Sequence, residues 1–177
     1  REDEYDDVMS CDVEVVSLDF LDAPTHPELL GRFGRYSVER VIGSGGMGVV
    51  LRAFDTDLHR VVAIKVLAGH LANSSVARRR FSREAQAAAA VVHPNVISIF
   101  DVDSESAVPH LVMHYVAGES LQKRVDRLGP LEVVESLRIA QQTAAALTAA
   151  HAQGLVHRDV KPANILLEEQ VGRVLLT

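Results

Sequence analysis

Residues 42–50 read IGSGGMGVV, with Gly43, Gly45 and Gly48 at the spacing G-x-G-x-x-G and Gly46 packed between them. The spacing alone does not decide a fold, because more than one class of nucleotide-binding protein uses it and plain glycine turns also produce it. The flanks decide. A dinucleotide-binding loop follows a strand and opens a helix whose N-terminus holds the pyrophosphate. Here the loop is preceded by YSVERVI, which alternates like a half-buried strand, and followed by VVLRAFD, rich in β-branched and apolar residues. The Gly-Lys-Ser/Thr that closes a Walker loop is missing. The glycines are therefore expected at a hairpin tip, where backbone N–H groups can approach phosphate oxygens without side chains in the way.

The chain has 177 residues and a formal net charge of −6, which fits a globular protein of one domain or slightly more. The mild acidic balance argues against nucleic acid as a partner. No stretch reaches the roughly 20 uninterrupted apolar residues of a membrane span. One cysteine, Cys11, excludes an internal disulfide, and the eight histidines show no zinc-ligand spacing. Composition shifts near residue 35. Residues 1–35 are acid-rich, aperiodic and broken by Pro24 and Pro27, and read as a solvated leader or linker whose short apolar runs VEVV and LDFL could dock on a neighbour.

Beyond Tyr36 the pattern predicts strand, glycine turn, strand and a third strand at VVAIKVL. A helix over residues 74–92 follows, then short strands in VISIFDV and PHLVMHYV, a short helix at SLQKRVDRL and a long helix over residues 131–153. HRDVKPANILL and RVLLT close the sequence. The fold class is α+β.

Period two along VVAIKVL puts Ala63, Lys65 and Leu67 on one face. A lysine in line with apolar neighbours either looks into solvent or has anionic partners. On the 74–92 helix, Ala77, Phe81, Ala88, Val91 and Val92 form an apolar stripe with Glu84 inside it, so Lys65 and Glu84 are expected to pair. Arg78, Arg79 and Arg80 read as a solvated basic face.

The stretch HRDVKPANILL, residues 157–167, sets Asp159, Lys161 and Asn164 in a loop that Pro162 keeps from becoming helix or ladder. Asp159 can take a proton from an attacking hydroxyl, Lys161 can neutralise a transferred phosphoryl group, and Asn164 can offer a carbonyl oxygen to Mg²⁺.

In chain order, GSGGMGVV, VAIK with Glu84 19 residues beyond its lysine, HPNV at residues 93–96 and HRDVKPAN resemble a protein kinase domain. Together with FSREAQAAAAVVHPNV they resemble the bacterial branch of the eukaryotic-type serine/threonine kinases, over residues 36–177. The resemblance implies a β-sheet N-lobe with one main helix (residues 36–116) and part of a mainly helical C-lobe (117–177). It implies ATP with Mg²⁺ as cofactors and protein Ser/Thr hydroxyls as acceptors.

The implied ATP contacts are Ile42, Gly43, Ser44, Gly45, Gly46, Met47, Gly48, Val49 and Val50 in the loop, then Ala63 and Lys65, with Leu166 below the adenine. Met113 would guard the back of the pocket, and the His114 carbonyl and Val116 amide would read the adenine edge. Glu84 would steady Lys65, Asp159 would be the catalytic base assisted by Lys161, and Asn164 the metal ligand. The resemblance also implies a cytoplasmic kinase domain, with membrane anchoring by a further C-terminal part left open, and a homodimer for autophosphorylation in the parent protein; the acidic balance adds no nucleic-acid partner.

Kinases place Asp-Phe-Gly after the strand that here reads RVLLT, and the sequence stops at Thr177. The expectation is a fragment of a longer kinase, lacking the second metal-binding aspartate and the activation segment and inactive alone, with a natural non-catalytic nucleotide-binding or interaction module as the alternative. The long helix points the same way: Ile139, Ala140, Thr143, Ala144, Leu147, Ala150 and His151 form a wide apolar arc that calls for cover on several sides.

Overall fold

The glycine stretch folds as a hairpin tip. In the computed structural model, which describes residues 17–169 and 171–177, strand β2 (Tyr36–Gly45) pairs antiparallel with β3 (Gly48–Asp55), closing at Gly45↔Gly48 around a two-residue turn of Gly46 and Met47. Gly48 has φ +137°, and a Cβ there would lie 1.9 Å from the Val66 carbonyl oxygen, so no other residue fits without moving the neighbouring strand. Val49, Leu51, Ala53 and Asp55 are buried while the residues between them are half-buried, the alternation a pleated strand imposes.

Two further strands, β4 (Arg60–Leu67) and β6 (His110–His114), continue the antiparallel sheet, and β5 (Ile99–Asp103) forms its far edge. With β1 (Gly31–Phe33) at the other edge the order is β1-β2-β3-β4-β6-β5. One face carries the main core: Tyr36, Val38, Val49, Leu51, Ala53, Val62, Ile64, Val66 and Val112.

Part of the leader packs on the sheet, with the LDFL run docking on a neighbour. Leu18, Phe20, Leu21 and Phe33 pack on this core, β1 pairs with β2, and Asp22 and Arg32 exchange backbone hydrogen bonds of 2.8 and 3.0 Å. Phe20 meets Phe33 edge-on at 5.6 Å between ring centroids, and Phe33 meets His110 at 4.7 Å. The cause is the apolar face of β2 to β4, which helix α2 does not cover and which LDFL and Phe33 shield from water. The VEVV run and Cys11 lie outside the described residues.

A one-turn helix α1 (Gly69–Ala72), which the periodicity did not show, precedes α2 (Ser75–Ala89), capped by Ser74, whose Oγ accepts the Ala77 N–H. Helix α2 is shorter than expected and Val92 is 95% exposed. Its packed face centres on Ala77, Phe81, Ala85 and Ala88, with Ala85 the buried member. Glu84, 100° round from Ala85, therefore turns to solvent instead of lying inside the stripe.

The second unit holds α3 (Leu121–Leu128), α4 (Val133–Ala152) and a three-stranded sheet of β7 (Gly118–Ser120), β8 (Ile165–Glu168) and β9 (Val174–Leu176). Asn95 stitches the units together. Its Nδ2 donates to Gln142 Oε1 and to the Val174 carbonyl, each at 2.7 Å, its carbonyl accepts the Leu176 N–H at 2.8 Å, and Gln142 Oε1 also accepts the Val174 N–H. On α4, Ile139, Thr143, Ala146 and Ala150 are buried. Ala140, Ala144 and Leu147 instead line an open apolar groove of about 420 Å³ with Leu121 and Leu131. His151 is exposed, against its expected place in the arc.

If residues 18–33 belong to the core, Phe33→Ala lowers stability by about 2 kcal/mol, less than the 3–5 of a fully buried Phe because the ring is half exposed. Urea unfolding measures it, and a solvated leader would show no change.

Candidate active site

The face of β4 opposite the core carries Ala63 and Lys65. Ala63 is buried and pairs with Met113 on β6, while Lys65 is half-buried and lies between Val50 on β3 and Leu111 on β6. Gly43 pairs with Val50 and Ser44 with Val49, so Ile42 to Val50 lie beside the strand that presents Lys65. Ser44, Gly45, Gly46 and Met47 are exposed, and Val49 is buried on the core side instead. Met113 and Leu166 flank a small cluster of Ile97, Val116 and Leu175, where the two units meet. His114 follows Met113 at the end of β6, with its N–H bonded to the Ser98 carbonyl and its ring 3.9 Å from Glu168 on β8.

The expected Lys65–Glu84 pair is not formed. Glu84, with its side chain 59% exposed, accepts from Arg80 Nε at 2.8 Å, a pair at i,i+4 on one helix. Among the described residues no carboxylate lies within ion-pair distance of Lys65. The reason is the helix rotation described above: with Ala85 packed inward, the neighbouring carboxylate faces out, where an arginine one turn back captures it. Arg78 is likewise not part of a solvated face. Its guanidinium bonds three backbone carbonyls, those of Ala72, Ser104 and Ser106, whereas Arg79 and Arg80 are exposed as expected.

The loop after α4 brings its three polar residues together. Pro162–Asn164 form a single 3-10 turn, which carries Asn164 back over Asp159. Asn164 Nδ2 donates to both the Asp159 carbonyl and Asp159 Oδ2 at 2.8 Å, and Lys161 Nζ lies 2.9 Å from the same Oδ2. These bonds, Lys161 first and Asn164 second, hold the Asp159 carboxyl below the usual carboxylate range. Because the amide nitrogen makes both bonds, Asn164 Oδ1 is left as an acceptor. Behind the loop, Arg158 takes a left-handed φ of 62°. The His157 ring receives the Asp159 N–H on Nδ1, and its Nε2 sits 2.7 Å from the Thr177 carbonyl. His157 and Asn95 are supports that residue-by-residue reading passed over; each stands in a motif already noted, HRD and HPNV, and that was the available signal.

The family model described as "Protein kinase domain" matches residues 36–177. This chain belongs to the protein kinase family. It is 44% identical over 144 residues to the serine/threonine-protein kinase PrkC of Bacillus subtilis, a match covering 81% of this chain and 22% of that protein. It is 40% identical to PknD of Mycobacterium tuberculosis, covering 80% and 21%. The crystal structure of the M. tuberculosis PknI kinase domain superposes with a TM-score of 0.70 at 37% identity, covering 82% of this chain and 59% of that one. The kinase chain described here thus spans about a fifth of these curated relatives and about three fifths of that domain. Among its described residues no helix is long and apolar enough to cross a membrane.

A depressed carboxyl is ionised throughout the physiological range and gives up its folded-state advantage only as pH falls from the ordinary carboxylate value of about 3.9 through its lower folded value. The Asp159 carboxyl carbon, followed by NMR, therefore titrates below that value, and Lys161→Ala moves the midpoint upward. An unchanged midpoint in the variant would remove the assigned cause.

Proposed function

We propose that this chain carries the nucleotide-binding face and catalytic loop of an ATP-dependent protein serine/threonine kinase, transferring the ATP γ-phosphoryl group to Ser or Thr hydroxyls of proteins. The observation that carries the reading is the Asp159–Lys161–Asn164 cluster: an exposed carboxylate oriented by an ammonium and an amide within one loop.

Backbone N–H groups of Ser44, Gly45, Gly46, Met47 and Gly48 cover the phosphates, and Lys65 holds the α- and β-phosphates once Glu84 turns from Arg80 to steady it. Ile42, Val50 and Ala63 above, and Leu166 below, enclose adenine, whose edge meets the His114 carbonyl and the Val116 amide behind Met113. The hydroxyl oxygen attacks the γ-phosphorus, the bond to the bridging oxygen breaks, ADP departs, and the hydroxyl proton goes to Asp159 Oδ. A carboxylate held below its usual range is a weak base, so Asp159 chiefly orients the hydroxyl and takes the proton late, which suits a loose transition state. Lys161, with its Nζ 2.9 Å from Asp159 Oδ2, would neutralise the moving phosphoryl group.

Asn164 Oδ1 fits a hard cation, and Mg²⁺ bound there would neutralise phosphate charge. Among the described residues no group of three or more His, Cys, Asp or Glu side chains is arranged to hold a metal, so Asn164 is the ligand that this stretch of chain would contribute. A cytoplasmic setting, protein substrates and a homodimer that phosphorylates itself in trans belong to the same proposal, as do the lobe bounds 36–116 and 117–177.

In the protein expressed from its complete coding sequence, Lys65→Met abolishes phosphoryl transfer to a serine-containing substrate, while Glu84→Gln costs less because the lysine keeps its charge. Asp159→Asn leaves ATP binding near normal and lowers kcat by about 10²- to 10⁴-fold. Undiminished kcat in either Lys65→Met or Asp159→Asn, with folding verified by circular dichroism, contradicts the assignment.

A further inference from the structure

Helix α2 is attached unevenly along its length. Ala85 is its buried side chain, with Ala77, Phe81 and Ala88 half-buried, so apolar burial grips it weakly. At its first turn the attachment is polar and dense. Arg78 Nε and Nη2 both donate to the Ser104 carbonyl at 3.1 and 2.9 Å, Nη2 donates to the Ser106 carbonyl as well, and Nη1 donates to the Ala72 carbonyl at 3.2 Å. Those carbonyls come from two segments, the end of α1 and the turn joining β5 to β6. That turn is itself rigid: Asp103 Oδ1 accepts the Glu105 and Ser106 N–H groups at 3.0 and 2.9 Å, and Ser106 Oγ donates to the Val108 carbonyl. A planar guanidinium can serve three carbonyls at once, and a lysine ammonium cannot reproduce that fork.

What depends on this anchor is Glu84, six residues and roughly 9 Å further along the helix. Its present partner, Arg80, is an exposed neighbour on the same helix, a weak pairing that exchanges readily. Transfer of Glu84 to Lys65 needs the helix axis held at a defined place relative to β4, and the single buried alanine does not fix it.

We propose that Arg78 is a positioning residue for phosphoryl transfer: its clamp on Ala72, Ser104 and Ser106 fixes one end of α2, so that Glu84 reaches Lys65 by motion about a fixed anchor. This rests on the kinase reading above. Arg78 touches neither nucleotide nor acceptor in that scheme and acts through Glu84.

The test is a double-mutant cycle on the protein expressed from its complete coding sequence, reading kcat and KM for ATP alongside thermal unfolding. Arg78→Ala lowers kcat/KM for ATP about tenfold, the scale of a small displacement of a positioned group, and Arg78→Lys recovers part of the loss. In a Glu84→Gln background the same Arg78→Ala change costs less than about twofold, because no carboxylate remains to be positioned. An equal loss in both backgrounds, or a lowered melting temperature with unchanged kcat/KM for the folded protein, overturns the proposal. Should Arg78→Ala not fold, Arg78→Lys in both backgrounds gives the same comparison. A wild-type protein without kinase activity would sink the kinase reading and this proposal together, whereas a Glu84 effect without an Arg78 effect would sink this proposal alone.

Discussion

The period of two along β4 is the constraint on which the rest of the molecule depends. Val62, Ile64 and Val66 point into the core and fix the strand at the centre of the six-stranded sheet. The same alternation leaves Ala63 and Lys65 on the opposite face, between β3 and β6. A slip of one residue would bury the ammonium in the core and put isoleucine and valine in the cleft, so the apolar residues that stabilise the sheet also set the register of the functional face. The glycine hairpin is tied to this strand in turn, because Gly48 sits where only a hydrogen fits against the Val66 carbonyl.

The second unit is tied to the sheet by hydrogen bonds as well as by the apolar cluster of Ile97, Val116 and Leu175. Asn95, between α2 and β5, reaches Gln142 on α4 and the backbone of β9, while His157 connects the catalytic loop to Thr177. Such polar links are directional, so they fix how β9 and the catalytic loop meet their neighbours in a way that apolar packing alone does not. Within the loop, Lys161 and Asn164 do the same for one carboxylate oxygen. Helix α2 contrasts with both: its apolar grip is one buried alanine, and the carboxylate it carries is found away from its expected partner.

Strands and loops of the site were legible because their signals are local. Alternation located β2, β3 and β4, and the composition of HRDVKPAN located the loop that gathers Asp159, Lys161 and Asn164. What escaped were orientations set by tertiary packing. A helical stripe read on a 100° grid cannot separate Glu84 from Ala85 as the inward residue when both neighbour Phe81 and Ala88, and the choice fell to alanine because it packs without a charge to desolvate. The Arg78 clamp depends on carbonyls about 26 residues away in sequence, which no periodicity reports. The leader's docking was legible only as a possibility for a related reason: LDFL and Phe33 find an apolar sheet face that exists only after the later strands pair.

The central claim is that the glycine hairpin, Lys65 and the Asp159 loop enclose one nucleotide. Backbone and side-chain amide NMR of the isotopically labelled chain, titrated with a non-hydrolysable ATP analogue and Mg²⁺, tests it most directly. The account predicts concerted shifts at the amides of Ser44, Gly45, Gly46 and Gly48, at Val116 and at the Asn164 side chain, all following one binding curve. Shifts confined to other surfaces, such as the apolar groove along α4, or none at saturating nucleotide, would contradict it.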